Sequence, residues 1–159
     1  MTNAIDERQM QIERLQNNLC SIRKIAGWTA EVLGEKIKTT KQTISNLENK
    51  KTPMNLAQYI AIRAALDLEI ENNKENEILP KVVYILLDSS DELDEKDYLE
   101  VQDATKTAAV SIAGGISHKK LIPIFLAVGA TGSIVAGIFS GAIKKLPATL
   151  AELVKKMIK

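Results

Sequence analysis

The sequence predicts an all-α protein, and three observations carry that expectation. Apolar residues make up 45% of the 159-residue chain but aromatics only 4%, so a core must be assembled mainly from Leu, Ile, Val and Ala, which suits helices packed on helices. Apolar positions recur at helical spacing. No segment alternates apolar and polar residues strongly enough to read as a strand, and no internal repeat is visible.

The first helix runs from the N-terminus to about Ile25, because Ile5, Ile12, Leu15, Leu19 and Ile22 fall on one stripe. Gly27 supplies the stop. Thr29 is the N-cap of "AEVLGEKI", and Thr40 caps "KQTISNLENK", so two short helices meet through a tight turn. "KKTP" breaks the chain. Asn55 caps again, and Leu56, Tyr59, Ile60, Ile62, Ala65 and Leu66 continue a helix to about residue 70. Four helices therefore fill the N-terminal part, 1–70.

"ENNKENE" at 71–77 carries no apolar residue and predicts a polar linker or a solvated helix end at 71–78. The remainder, 79–159, reads as a helical region. "LPKVVYILLDS" tolerates Pro80 in a first turn, and "DELDEKDYLEVQDATKTAAVSIA" has an acidic start that suits a helix N-terminus. Gly114 and Gly115 close that helix, and a basic amphipathic helix, "LPATLAELVKKMIK", ends the chain.

Between them lies the uncharged run 121–143, "LIPIFLAVGATGSIVAGIFSGAI". At a rise of about 1.5 Å per residue it spans roughly 35 Å as a helix, enough for a bilayer core of about 30 Å. Four glycines, Pro123, two serines and a threonine dilute its hydropathy, however, and the tail beyond it is rich in lysine, against the usual charge bias for an exported end. Gly129, Ser133, Gly137 and Gly141 recur every fourth position and predict a face for close helix association. Membrane contact, a buried core helix and an oligomer interface all remain open for this Gly-rich apolar helix.

Charge is unevenly spread: +2 over residues 1–70, −8 over 71–103 and +7 over 104–159. The N-terminus lacks the apolar core of a secretory signal, which predicts a cytoplasmic protein, free or attached to the inner face of the membrane. Cys20 has no disulfide partner and is expected to pack as a small apolar residue. One cysteine and one histidine exclude a zinc cluster, and the acids at 91–97 lack calcium-loop spacing. His118 reads as a surface residue beside two lysines. No nucleophile, phosphate-cradling loop or ligand set points to an enzyme, a cofactor or a metal.

Residues 19–53, "LCSIRKIAGWTAEVLGEKIKTTKQTISNLENKKTP", resemble the helix-turn-helix of the Xre family, the Cro/repressor type of DNA-binding domain, over about residues 19–67. The resemblance implies a sequence-specific regulator of transcription acting on double-stranded DNA, a dimeric repressor on a two-fold-symmetric operator. A further class of reading is an interaction protein, an antitoxin-like neutraliser or membrane-tethered scaffold, that uses the motif for docking. The helix at 41–50 is then the recognition helix. Ile44 and Leu47 face inward with Leu33 and Ile37, while Lys41, Gln42, Thr43 and Asn46 are left to meet base edges. Thr29, Lys38, Thr40, Lys50 and Lys51 stand where the family contacts phosphate, and Arg23 and Glu48 where it forms a structural ion pair. Trp28 is expected in the core. Three positions depart from the usual pattern: Lys38 replaces a turn glycine that needs positive φ, Ala30 replaces a glutamine, and Gly34 replaces an alanine. The stripe before this motif, Ile5 to Leu15, predicts either a dimer seam or packing within the chain.

Overall fold

A computed structural model describes residues 4–89 and 92–123 and, among them, contains helices and turns but no strand. α1 spans Ala4–Ile25, α2 Ala30–Lys36, α3 Lys41–Glu48, α4 Leu56–Asn72 and α5 Ile78–Val83. A π-helical turn, Tyr84–Asp88, continues α5; α6 spans Glu95–Ala113, and a 3₁₀ turn occupies His118–Leu121.

The helix starts follow from short side chains at the caps. Thr29 accepts from Val32 N at 3.1 Å, Thr40 from Thr43 N at 3.1 Å and Asp94 from Asp97 N at 2.8 Å. Each satisfies an amide that has no partner in the first turn. Asn55 goes further: its side chain accepts from Gln58 N while Gln58 Oε1 accepts from Asn55 N, a reciprocal capping box. Gly27, at φ 80°, ends α1, with Trp28 N reaching back to Arg23 O and Gly27 N to Lys24 O. Gly115, at φ 91°, ends α6 in the same way through Ile116 N to Ser111 O and Gly115 N to Ile112 O.

α1 is the centre of the molecule. Its stripe Ile12, Leu15, Leu19, Ile22 and Ile25 is buried within the chain's own core, which decides for intramolecular packing at Ile12 and Leu15; the side chain of Ile5 lies outside the described residues. Burying each such side chain is worth about 1.5–3 kcal/mol relative to leaving it in water. The same core takes in Trp28, Leu33, Ile44, Leu47, Tyr59, Ile62 and Leu66, and continues without a break through Ile78, Leu79, Val82, Ile85 and Leu86 to Val101 and Ala108. α6 lies along α1 on Ala104, Ala108 and Ala109, small side chains that let two helices approach closely. Polar contacts set its position along α1: Asn18 Nδ2 donates to Tyr98 Oη and Gln102 Nε2 to Asn18 Oδ1, at 3.1 and 3.0 Å.

Two features differ from the sequence expectation. Within the segment read as a solvated linker, Asn76 is buried, donates to the Ile25 carbonyl at 2.8 Å and accepts from Leu79 N at the start of α5. A polar residue is buried here because a carbonyl at a helix C-terminus offers it an acceptor. His118, expected at the surface, is half-buried and bonds the same Ile25 carbonyl through Nε2 at 2.9 Å. A carbonyl only accepts, so Nε2 carries the proton there.

A charged group is buried where α4 meets the π-helical turn. Arg63 is 0% exposed; its Nη2 lies 3.2 Å from Asp88 Oδ2 and 3.8 Å from Asp67 Oδ1, and Asp88 is nearly as deep. Beside it Tyr59 donates to Gln11 Oε1, and burial pushes its phenol up to about 12, Arg63 working against that shift and Asp88 and Asp67 with it.

Among the described residues no helix is long and apolar enough to cross a membrane. Of the run 121–143, Leu121 is buried in the core, Ile122 is half-buried and Pro123 is exposed. The helix expected over the rest of that run, and the basic helix that ends the chain, lie outside the described residues.

Candidate nucleic-acid interface

α2 and α3 are joined by four residues, Ile37 to Thr40, the last of them the cap of α3. The turn is tight because Gly34 allows it. A Cβ on Gly34 would stand 3.0 Å from Thr39 O and 3.1 Å from Thr40 C, both backbone atoms that cannot swing away. Glycine at this position, where the resemblance predicts alanine, thus lets the turn fold this closely over α2, and a Cβ would push the turn back by a few tenths of an ångström.

Lys38 adopts φ 59° and Lys50 φ 56°, the left-handed conformation that favours glycine. Both follow a helix C-terminus, and the backbone closes identically at each: Thr39 N to Gly34 O and Lys38 N to Glu35 O after α2, Lys51 N to Asn46 O and Lys50 N to Leu47 O after α3. The positive φ of the turn is kept at Lys38, and Lys50 repeats it at the far end of α3. The left-handed backbone costs an L side chain about 1–2 kcal/mol. Glycine returns part of that gain through a looser unfolded chain. Lys38→Gly and Lys50→Gly are each expected to stabilise the fold by about 0.5–1 kcal/mol, read as a melting temperature higher by roughly 2–3 °C in a thermal circular-dichroism scan. An unchanged or lower melting temperature would contradict the strain.

α3 is held by its inner face. Ile44 and Leu47 are 0% exposed, packed with Leu33, while Ile37 is half-buried at the turn. Two further ties fix its angle. Arg23 forks onto Glu48, with Nε on one carboxylate oxygen and Nη2 on the other at 3.1 Å, and its Nη1 donates to Trp28 O at 2.7 Å. Burial works to lower the Arg23 pKa, but the hydrogen bond and charge of Glu48 outweigh it and raise it. Gln16 of α1 provides the other tie: its amide donates to Leu47 O and Thr52 O at 3.0 and 2.8 Å and accepts from Met54 N at 3.0 Å. No local pattern marks Gln16. It reads as one more polar residue on α1, and its role exists only once the end of α3 is folded against it.

The outer face of α3 is what remains. Lys41 and Gln42 are exposed, Thr43 and Asn46 half-buried. Gln42 Nε2 donates to Asn46 Oδ1 at 2.9 Å, and the Thr40 and Thr43 hydroxyls lie 3.0 Å apart. The side chains are thereby ordered before any partner arrives. Gln42 keeps its carbonyl oxygen and a second amide hydrogen, the acceptor and donor that an adenine edge requires. Around this face Thr29, Lys38, Thr40, Lys50 and Lys51 are all exposed. They sit at the start of α2, in the turn, at the α3 cap and just past α3, so the residues named from sequence are arranged about one short helix. Ala30, half-buried after the Thr29 cap, offers no side-chain donor.

Residues 21–73 match the helix-turn-helix family model. The match agrees with the resemblance of this segment to the Xre-like helix-turn-helix. The match opens in the second half of α1 and closes just past α4, one third of the chain, and it supports a DNA-binding regulator of this type. No curated protein and no solved structure matches the chain significantly. Outside the matched helix-turn-helix domain lie the first half of α1, α5 and α6. Among the described residues no group of His, Cys, Asp and Glu could hold a metal ion. Cys20 is half-buried, 3.8 Å from Arg23 Nη2, and packs beside the ion pair.

Proposed function

We propose that the protein is a sequence-specific repressor that works in the cytoplasm as a dimer, each copy laying α3 in the major groove of one half-site. The observation that supports this best is the division of α3 into an inner face, Ile44 and Leu47, with no exposure and an outer face of Lys41, Gln42, Thr43 and Asn46, on which Gln42 bonds Asn46 and Thr43 bonds the cap Thr40. Lys41, Gln42, Thr43 and Asn46 read base edges. Thr29, Lys38, Thr40, Lys50 and Lys51 hold phosphates and so set register without reading sequence. The two lysines in left-handed backbone support that assignment, since glycine would relieve the strain there but carry no charge. One domain of modest positive charge binds weakly, and two half-sites about one helical turn apart supply the missing affinity.

The test is binding to duplex from the protein's own promoter region against random duplex of equal length. Lys41→Ala with Gln42→Ala is expected to weaken the specific complex by about 10- to 100-fold, since a good base contact is worth about 1–3 kcal/mol. Random duplex should change far less. Equal affinity of the unaltered protein for both duplexes, or none for either, overturns the regulator and leaves the motif as a docking surface.

A further inference from the structure

We infer that Lys119 and Lys120, together with Lys24, form a basic ledge beside the helix-turn-helix domain that contacts the sugar-phosphate backbone flanking the half-site. The inference rests on the DNA-binding reading above and adds a contact surface from outside the matched residues 21–73.

Three observations carry it. The segment after α6 is held against the end of α1 at two points: His118 donates to the Ile25 carbonyl at 2.9 Å, and Leu121 is buried in the core. Lys119 and Lys120 lie between these anchors and are exposed. The end of α6 also borders the start of α2, since Ile112 and Ala113 share a surface groove with Lys24, Thr29 and Ala30. Thr29 is one of the residues assigned above to phosphate. Finally, charge along α6 is polarised. Its first half holds Glu95, Asp97, Glu100 and Asp103, and between Asp103 and residue 123 there is no acid, only Lys106, Lys119 and Lys120. The end of α6 that lies near α2 is therefore the basic one, and a polyanion lying across α2 and α3 meets lysines from this segment, with the exposed Glu31 in the first turn of α2 the nearest acid in sequence to Thr29 and Ala30. Glu75 and Glu77 flank Asn76, which shares the Ile25 carbonyl with His118, but both are exposed and screened by solvent. They limit the expected gain to one or two phosphates.

The experiment is the salt dependence of duplex binding by the full chain and by Lys119→Gln with Lys120→Gln. Each neutralised phosphate contributes about 0.9 to the slope of log K against log salt, so the double variant should show a slope shallower by roughly 1 to 2. Its affinity should fall by a similar factor on promoter and random duplex, because phosphate contacts carry no sequence information. The melting temperature should not move, since both side chains are exposed. Lys96→Gln, at the acidic end of α6, should leave the slope unchanged. An unchanged slope in the double variant overturns the ledge while leaving the recognition helix in place. A loss confined to binding of phosphatidylglycerol vesicles, with duplex binding intact, also overturns it in favour of a lipid contact. If the unaltered chain binds promoter and random duplex equally, the regulator fails but the slope still reads the ledge. If it binds no duplex, both fail together.

Discussion

Arg63→Ala is expected to destabilise the fold by about 3–5 kcal/mol, because it removes the buried guanidinium that faces the Asp88 carboxylate. Arg63 is fully buried on α4 and Asp88, at the end of the π-helical turn, is 3% exposed by side chain. Taking such charges out of water is costly, and their mutual attraction helps to offset it. The geometry is not saturated: Arg63 Nε and Nη1 have no hydrogen-bond partner. The pair is therefore a weak source of net stability but a strong source of loss when one member goes. Replacing both, Arg63→Met with Asp88→Asn, should recover part of the loss, since position 88 then carries no buried charge and an apolar chain of similar volume fills the site. Urea denaturation of the two single variants and the double variant measures this as a coupling energy. Strictly additive losses would show that the cavity, and not the buried charge, is responsible. The link joins α4 to the π-helical turn after α5, so a single variant here should weaken duplex binding only as far as it lowers the folded fraction.

Arg23→Ala is expected to have an effect of the same order, about 3–5 kcal/mol, through a different mechanism of assembly. Both partners are about 10% exposed by side chain. Arg23 joins three elements at once, since it holds Glu48 at the end of α3 and the Trp28 carbonyl in the α1–α2 turn. Lysine is no substitute, because a single ammonium does not reproduce a fork that spans two carboxylate oxygens and a carbonyl. Arg23→Lys should therefore lose much of the stability that Arg23→Ala loses, and both should weaken the specific complex under conditions where the protein is fully folded, because α3 is no longer held at its angle. Denaturation curves and binding measured well below the transition check the two parts separately. Arg23→Lys indistinguishable from the unaltered protein would refute the role of the fork.

Much of the candidate site is legible in the sequence because its determinants are local. A Thr or Asn oxygen that reaches an amide two or three residues on needs no distant partner, so the caps at Thr29, Thr40 and Asn55 follow from their position ahead of helical periodicity. Gly27 and Gly115 end helices for an equally local reason. The inward turn of Ile44 and Leu47, and hence the outward turn of Lys41, Gln42 and Asn46, follows from a period of 3.6 residues. Other residues carry no such mark. Gln16, Asn76 and His118 are ordinary polar residues in sequence, and each acquires its role from a backbone group contributed by a segment at least 31 residues away. Gly34 is visible as a departure, but the reason for it, the backbone of Thr39 and Thr40 lying within 3.1 Å of a Cβ, is a distance between segments.

Residue types and spacing alone therefore determined the helical character of the described residues, the helix boundaries through α4, and the set of side chains left on the outer face of α3. The tertiary structure alone decided that α5 and α6 share the core of the helix-turn-helix domain, that Asn76 is buried in a segment of linker composition, and that Arg63 is taken out of water. The division has a physical cause. Helical period and capping act over three or four residues, whereas burial of a polar or charged group depends on which distant acceptor or counter-charge the folded chain brings to it.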